Sequence, residues 1–130
     1  MKVFLGGTCN NSTWRDRLIP LLQQNNIDFF NPVVEDWTPE CQSTEEYEKE
    51  FECDHHLYVI TKEMKGVFSI AEAVHSAHQK GKYVFFQVLP EGFDESELKS
   101  LIAVGDLIKE LDGEVVIGDD GFIRLISHLR

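Results

Sequence analysis

"CDHHLYVITKEMKGVFSIAEAVHSAHQKGKYVFFQVL" spans Cys53 to Leu89 and predicts a strand, a helix and a second strand. The β-branched and aromatic residues of Leu57–Thr61 predict the first strand, and the apolar run Tyr83–Leu89 predicts the second. A loop containing Gly66 follows the first strand, and Ser69–Gln79 has helical spacing of its apolar residues. Two strands joined through a helix are typical of a parallel pair, since a parallel connection has to return along the sheet.

The same alternation extends to both ends of the chain. Three further strands are predicted, at Lys2–Gly6, Ile27–Phe30 and Glu114–Ile117. Four further helices are predicted, at Trp14–Gln24, Thr44–Glu52, Glu95–Leu111 and Phe122–Leu129. Nearly continuous apolar strands that alternate with helices predict an α/β fold with a parallel sheet covered on both faces. We expect a flavodoxin-like or Rossmann-like three-layer sandwich with five strands in the order 2-1-3-4-5, formed by one domain over residues 1–130.

Charge and composition limit the classes of partner. The chain has 23 acidic against 12 basic residues, a formal net charge of -11, which opposes binding to a nucleic acid polymer but allows a small nucleotide in a local pocket. Its apolar runs are far shorter than the roughly 18 residues of a membrane span, so no membrane partner is expected. Three cysteines without a disulfide framework fit a reducing compartment, and we expect a cytoplasmic protein.

The loop after the first strand is the first candidate for ligand binding. Ligands of open parallel sheets bind beyond the carboxyl ends of the strands, near the switch in strand order. Here Gly6 and Gly7 would let the backbone approach a ligand closely. The polar edges that we expect to face a sugar or a base are those of Thr8, Asn10 and Asn11. The alternative is an ordinary turn in which Ser12 or Thr13 caps the following helix.

The loop after the second strand is a second candidate. It contains Asn31, Asp36 and Trp37, and an indole beside a carboxylate would stack on a base and bind its edge. The alternative is a loop tryptophan that packs on the core.

Glu72 is the candidate of greatest chemical interest. It lies in the first turn of the predicted helix that starts at Ser69, where the helix dipole favours an ionised carboxylate. A positioned carboxylate is the group that attacks an anomeric carbon in retaining glycosyl transfer. The alternative is a capping box formed by Ser69 and Glu72, which needs no catalytic role.

The histidines and cysteines do not form a recognisable metal-binding pattern. Cys53, His55 and His56 are adjacent, but strand alternation places the two histidines on opposite faces. Cys9 has no sequence signal for an activating base. We therefore predict no metal and no cofactor.

Taken together, these segments resemble the nucleoside 2-deoxyribosyltransferase-like family, which includes nucleoside transferases and 2'-deoxynucleoside 5'-phosphate N-glycosidases. The resemblance covers roughly residues 2 to 90. The segments that carry it are "VFLGG", "WRDRLIPLL", "FFNPVVEDW", "ECDHHLYVIT" and "GVFSIAEAVHSAHQKGKYVFFQVL".

The resemblance implies roles for two acids. Glu72 occupies the position of the family's nucleophile, which attacks C1' of deoxyribose and forms a glycosyl ester that a second base or water resolves with retention. Glu46 matches a second acid, an aspartate in the family, that holds or protonates the base. The resemblance also implies a homo-oligomer and a small nucleoside or nucleotide as partner.

Two positions depart from the family pattern. Phe4 stands where family members have a tyrosine that orients the glutamate. Gly66 stands where the nucleoside branch has Asp and the nucleotide branch has Ser at the sugar 5' end, and Ser69 is a partial substitute.

The function that the resemblance implies is cleavage or transfer at the N-glycosidic bond of a 2'-deoxynucleoside or deoxynucleotide. The alternatives are a non-catalytic nucleotide-binding module and an NAD-type glycohydrolase.

Overall fold

The computed structural model describes residues 1–9, 12–119 and 121–129, and its centre is a five-stranded parallel sheet. The strands are Lys2–Gly7 (β1), Asp28–Phe30 (β2), His55–Ile60 (β3), Tyr83–Val88 (β4) and Glu114–Ile117 (β5). Their order is β2-β1-β3-β4-β5, and every neighbouring pair is parallel. The predicted fold class and strand order are confirmed.

Helices cover both faces of the sheet. They are Trp14–Gln24 (α1), Pro39–Tyr47 (α2), Phe68–His78 (α3), Glu95–Glu110 (α4) and Gly121–Leu129 (α5), and a π-helical turn, Glu48–Glu52, follows α2. One core cluster packs α1 and α5 on the sheet through residues such as Leu18 and Leu125. The other packs α3 and α4 through Ala73 and Leu101. None of the described helices combines the length and apolar character needed to cross a bilayer.

Strand β3 starts two residues before the predicted Leu57, because two buried histidines extend it. The His55 ring stacks on Tyr83 at 5.0 Å between centroids and contacts His128 of α5 at 5.7 Å. His56 faces the other side, where it hydrogen-bonds Ser76 of α3. The alternation predicted for the two histidines is therefore confirmed. The start of the strand was predicted too late because histidine is a polar residue type.

The helix before β3 differs most from its prediction. It was expected over Thr44–Glu52, but α2 begins at Pro39 and gives way to the π-helical turn at Glu48. Proline is favoured at the first helical position because its missing N–H would be unpaired there in any case. Lys49 lies in this π-helical turn and contacts Glu72 of α3.

Candidate functional site

Glu72 is partly buried and directed across to the π-helical turn. It lies one turn into α3, and its Oε2 accepts a hydrogen bond from the Lys49 ammonium. The two side chains are 14% and 21% exposed, respectively. The capping box expected of Ser69 and Glu72 is wrong, because α3 begins at Phe68 and Val67 occupies the N-cap position. The carboxylate is therefore not engaged by its own helix terminus.

A cavity of about 230 Å³ lies beside this carboxylate, between α2 with its π-helical turn and α3. Its lining residues are Glu46, Lys49, Glu50, Tyr58, Glu72, His75, Ser76 and Gln79. Glu46 and Glu72, the two acids singled out in the sequence, thus line the same cavity. Glu46 is exposed and accepts a hydrogen bond from Gln42 of its own helix at 3.2 Å.

Lys49 lies between two carboxylates and an aromatic ring. Its Nζ is 3.9 Å from Glu45 Oε1 and 5.3 Å from the centroid of the Phe4 ring. Burial raises the pKa of the Glu45 carboxyl, the Lys49 charge lowers it, and the charge of Glu72 raises it again. Phe4 has no hydroxyl to donate, so the ammonium, held over the ring face, is the donor that reaches Glu72.

A directed hydrogen-bond chain runs under the cavity from Tyr58 to His56. The carbonyls of Lys49 and Cys53 only accept, so His56 Nε2 carries the proton that it shares with them at 2.9 and 3.2 Å. Burial lowers the pKa of His56 to about 4, so the ring is neutral and its Nδ1 accepts from the Ser76 hydroxyl at 2.9 Å. Ser76 in turn accepts from the Tyr58 hydroxyl at 2.8 Å. Burial also raises the pKa of Tyr58, which keeps this phenol protonated.

The neutral His56 predicts a loss of stability in mild acid. The pKa of His56 is 6.5 in the unfolded chain and about 4 in the fold. Between these two pH values the unfolded state binds more protons, so the free energy of unfolding decreases as the pH is lowered. The loss of unfolding free energy amounts to about 3 kcal/mol near pH 4 and is absent above about pH 7. Urea unfolding of wild type and His56→Gln at several pH values measures it. The slope of unfolding free energy against pH should be steeper for the wild type than for the variant, by an amount that corresponds to about one proton. Equal slopes would contradict a neutral, buried ring.

The glycines of the β1–α1 loop are required by packing within the fold. A Cβ on Gly6 would lie 2.7 Å from the Tyr58 ring. Gly7 has φ +114°, and a Cβ there would lie 2.1 Å from the Val59 carbonyl oxygen. These two contacts account for both glycines without a ligand, so the close approach to a ligand predicted for them stays a prediction. Of the other residues predicted in this loop, Asn10 and Asn11 lie outside the described residues.

Thr8 and Arg15 tie the same loop to the sheet. Thr8 is buried, and its Oγ1 accepts from the Thr61 backbone N–H at 3.0 Å. Its carbonyl accepts from the Ser12 hydroxyl at 2.8 Å and from the Arg15 guanidinium at 2.8 Å. Arg15 also donates to the Leu5 carbonyl, and burial lowers its pKa. Ser12 therefore braces the loop, and the helix-capping role considered for it is wrong.

A larger cavity of about 640 Å³ lies at the carboxyl ends of the strands. Its lining residues are Ser12, Thr13, Trp14, Arg17, Thr61, Lys62, Glu63, Leu89, Glu91, Gly92 and Asp119. The strand-end crevice expected of such sheets is thus present. Among the residues that the structure describes, none lines both this cavity and the one beside Glu72.

The remaining predicted binding residues lie on the β2–α2 loop, on the β3–α3 loop and in the first turn of α3. Asn31 Oδ1 accepts from the Val33 N–H at 3.1 Å, which shapes the β2–α2 loop. Trp37 is 60% exposed, so the alternative of a core-packed indole is wrong, and Asp36 beside it is exposed as well. A Cβ on Gly66 would meet nothing within 4 Å, and Ser69 is half-buried in the first turn of α3. Substrate contacts by these residues stay predictions.

Sequence reasoning missed the group that contacts Glu72. Lys49 is the single base among nine acids between Glu35 and Asp54, and that isolation was the available signal. The pair joins residues 23 apart in sequence, from two different crossover connections. Tyr58, Ser76 and His56 were missed for the same reason, since their contacts form only when α3 packs on the sheet.

Comparison with known proteins places the chain in a family. A family model described as "Nucleoside 2-deoxyribosyltransferase like" matches residues 1–93. This range includes α2, the π-helical turn, β3 and α3, which surround Glu72. Neither a curated protein nor a solved structure matches the chain. Since the match covers more than half of the sequence, the chain belongs to the nucleoside 2-deoxyribosyltransferase-like family.

Proposed function

We propose that the protein cleaves or exchanges the N-glycosidic bond of a 2'-deoxynucleoside or deoxynucleotide, with Glu72 as nucleophile. The observation that carries the proposal is the environment of the Glu72 carboxylate. It lines a cavity, it is mostly shielded from solvent, and a cation engages one of its two oxygens. Membership of the family supports the same class of reaction.

In the first step the free carboxylate oxygen of Glu72 donates an electron pair to C1' of the sugar. The C1'–N bond breaks, its electron pair leaves with the base, and a glycosyl ester forms on Glu72. In the second step water or another base attacks C1' from the opposite face, loses its proton to the group that protonated the departing base, and displaces the Glu72 carboxylate. Two inversions give net retention. Because a 2'-deoxy sugar lacks the electron-withdrawing 2'-hydroxyl, positive charge develops at C1' with little acid assistance.

Glu46 is the candidate for the base side. It lines the same cavity as Glu72 and is exposed enough to exchange protons with solvent. When protonated, Glu46 would give its proton to the departing base, which then leaves as a neutral molecule. Glu46 itself would become a carboxylate. The loops that hold Asp36, Trp37 and Gly66 would then enclose base and sugar. The homo-oligomer implied by the resemblance stays a prediction.

A non-catalytic nucleotide-binding module is the second candidate. Phe4 and Gly66 favour it, since both lack the polar group that the family pattern has at these positions. Its signature is ligand binding without release of base.

Incubation with deoxynucleosides, deoxynucleoside 5'-monophosphates and NAD, followed by chromatography for free base, tests the proposal. We expect base release from at least one 2'-deoxy substrate, and new nucleoside when a second base is supplied if transfer competes with hydrolysis. Release from NAD alone would support the glycohydrolase alternative. Binding without release from any substrate would overturn the proposal in favour of the module.

A further inference from the structure

We propose that Lys49 is the positioning residue of the Glu72 nucleophile, an inference that rests on the proposed function. Its ammonium contacts Glu72 Oε2 across the gap between the π-helical turn and α3. That contact leaves the second carboxylate oxygen to face a sugar. Lys49 acts through Glu72 and needs no contact with the substrate.

The fold holds Lys49 from both ends. Its backbone carbonyl accepts from His56 Nε2 at 2.9 Å, and His56 is itself fixed by Ser76 on the helix that carries Glu72. The ammonium lies over the Phe4 ring, 5.3 Å from its centroid. One buried histidine therefore joins the segment that carries the cation to the helix that carries the carboxylate. Short π-helical turns are frequent at functional sites.

The surroundings of Glu72 are rich in acidic side chains. The other titratable groups that line its cavity or lie beside Lys49 are Glu45 and Glu46 of α2, Glu50 of the π-helical turn, Tyr58 of β3 and His75 of α3. Three of these are acids, and like charges disfavour a further anion among them. The Lys49 ammonium contacts Glu72 and offsets that repulsion, and the carboxylate is the form of Glu72 that attacks.

Glu45 gives Lys49 a second partner during the reaction. When Glu72 becomes a glycosyl ester it loses its negative charge, and the ammonium would be left without a counter-ion. Glu45 Oε1 is only 3.9 Å from Nζ, one turn back along the chain. A small movement of the ammonium pairs it with Glu45 in the ester state and returns it to Glu72 when the ester is resolved.

Steady-state kinetics of Lys49→Met, Lys49→Arg and Lys99→Met test the inference. We expect Lys49→Met to lower kcat about 10- to 100-fold with KM changed less than about threefold, as for loss of a charge-assisted hydrogen bond. The acid limb of its kcat/KM profile should move to higher pH, since an unpaired carboxylate is harder to ionise among acids. Lys49→Arg keeps the charge and should recover most of kcat with the wild-type acid limb. Lys99, exposed on α4, is the matched control and should change neither.

Glu45→Gln tests the second partner through a double-mutant cycle. We expect it to lower kcat/KM about three- to tenfold alone, and to add nothing in the Lys49→Met background, because its effect requires the ammonium. Additive losses would overturn the transfer to Glu45. An active wild type with an unchanged kcat and acid limb in folded Lys49→Met would overturn the Lys49 inference and leave the proposed function standing. A wild type that releases no base from any substrate would overturn both.

Discussion

Glu72→Gln should lower base release from the best 2'-deoxy substrate by at least about 10³-fold, the scale of losing a covalent nucleophile. Glutamine keeps the size of the side chain and removes the electron pair that attacks C1'. Chromatography of free base at saturating substrate measures the effect. Because Lys49 keeps Glu45 as a partner at 3.9 Å, we expect the variant to remain folded, with an unfolding midpoint close to that of the wild type.

Glu72→Ala separates a nucleophile from a merely structural acid. Alanine leaves room beside Lys49 for a small anion, and formate bound there supplies the missing carboxylate. Formate should therefore restore base release in Glu72→Ala and have no effect in Glu72→Gln, where the amide fills the space. Glu110→Gln, an exposed acid on α4, is the control for removal of one negative charge. Wild-type turnover in Glu72→Gln would show that another residue performs the attack.

The fold was readable from sequence because its signals are local. The strand core "LYVI" and the run "YVFFQV" show their burial through residue type, and the helix between them shows its period. The signals failed where residue type and environment disagree. His55 and His56 are polar residues in a buried strand, and the helix predicted over Thr44–Glu52 starts at Pro39.

The candidate site was readable only in part. The position of Glu72 near the start of a crossover helix follows from the order of elements, although it lies one turn into α3 and not in the predicted first turn. The partner of its carboxylate could not be placed, because Lys49 reaches it from another connection through a turn whose π-helical form no local pattern announced. Gly6 and Gly7 show the same limit. Their pattern indicated a ligand loop, whereas their contacts are with Tyr58 and Val59 of the neighbouring strand.

Gly7→Ala should destabilise the protein by more than about 4 kcal/mol, the range reserved for a severe steric conflict. Two costs combine at this position. The backbone has φ +114°, which side-chain-bearing residues rarely adopt, and the new Cβ would lie 2.1 Å from the carbonyl oxygen and 2.5 Å from the nitrogen of Val59. Neither contact can yield easily, because both atoms belong to the backbone of a central strand. Since a domain of this size has a total stability of only about 5–15 kcal/mol, we expect little soluble, folded protein.

Two other glycines separate the causes. Gly81 has φ +84° with nothing within 4 Å of a Cβ, so Gly81→Ala should cost only the conformational penalty, about 1 kcal/mol. Gly66 has open space and an ordinary φ, so Gly66→Ala should stay within about 0.5 kcal/mol of wild type. Urea unfolding followed by circular dichroism ranks the three, with soluble yield as the measure for Gly7→Ala if it does not fold. A Gly7→Ala protein as stable as Gly81→Ala would mean that β1 and β3 do not approach each other closely at Val59.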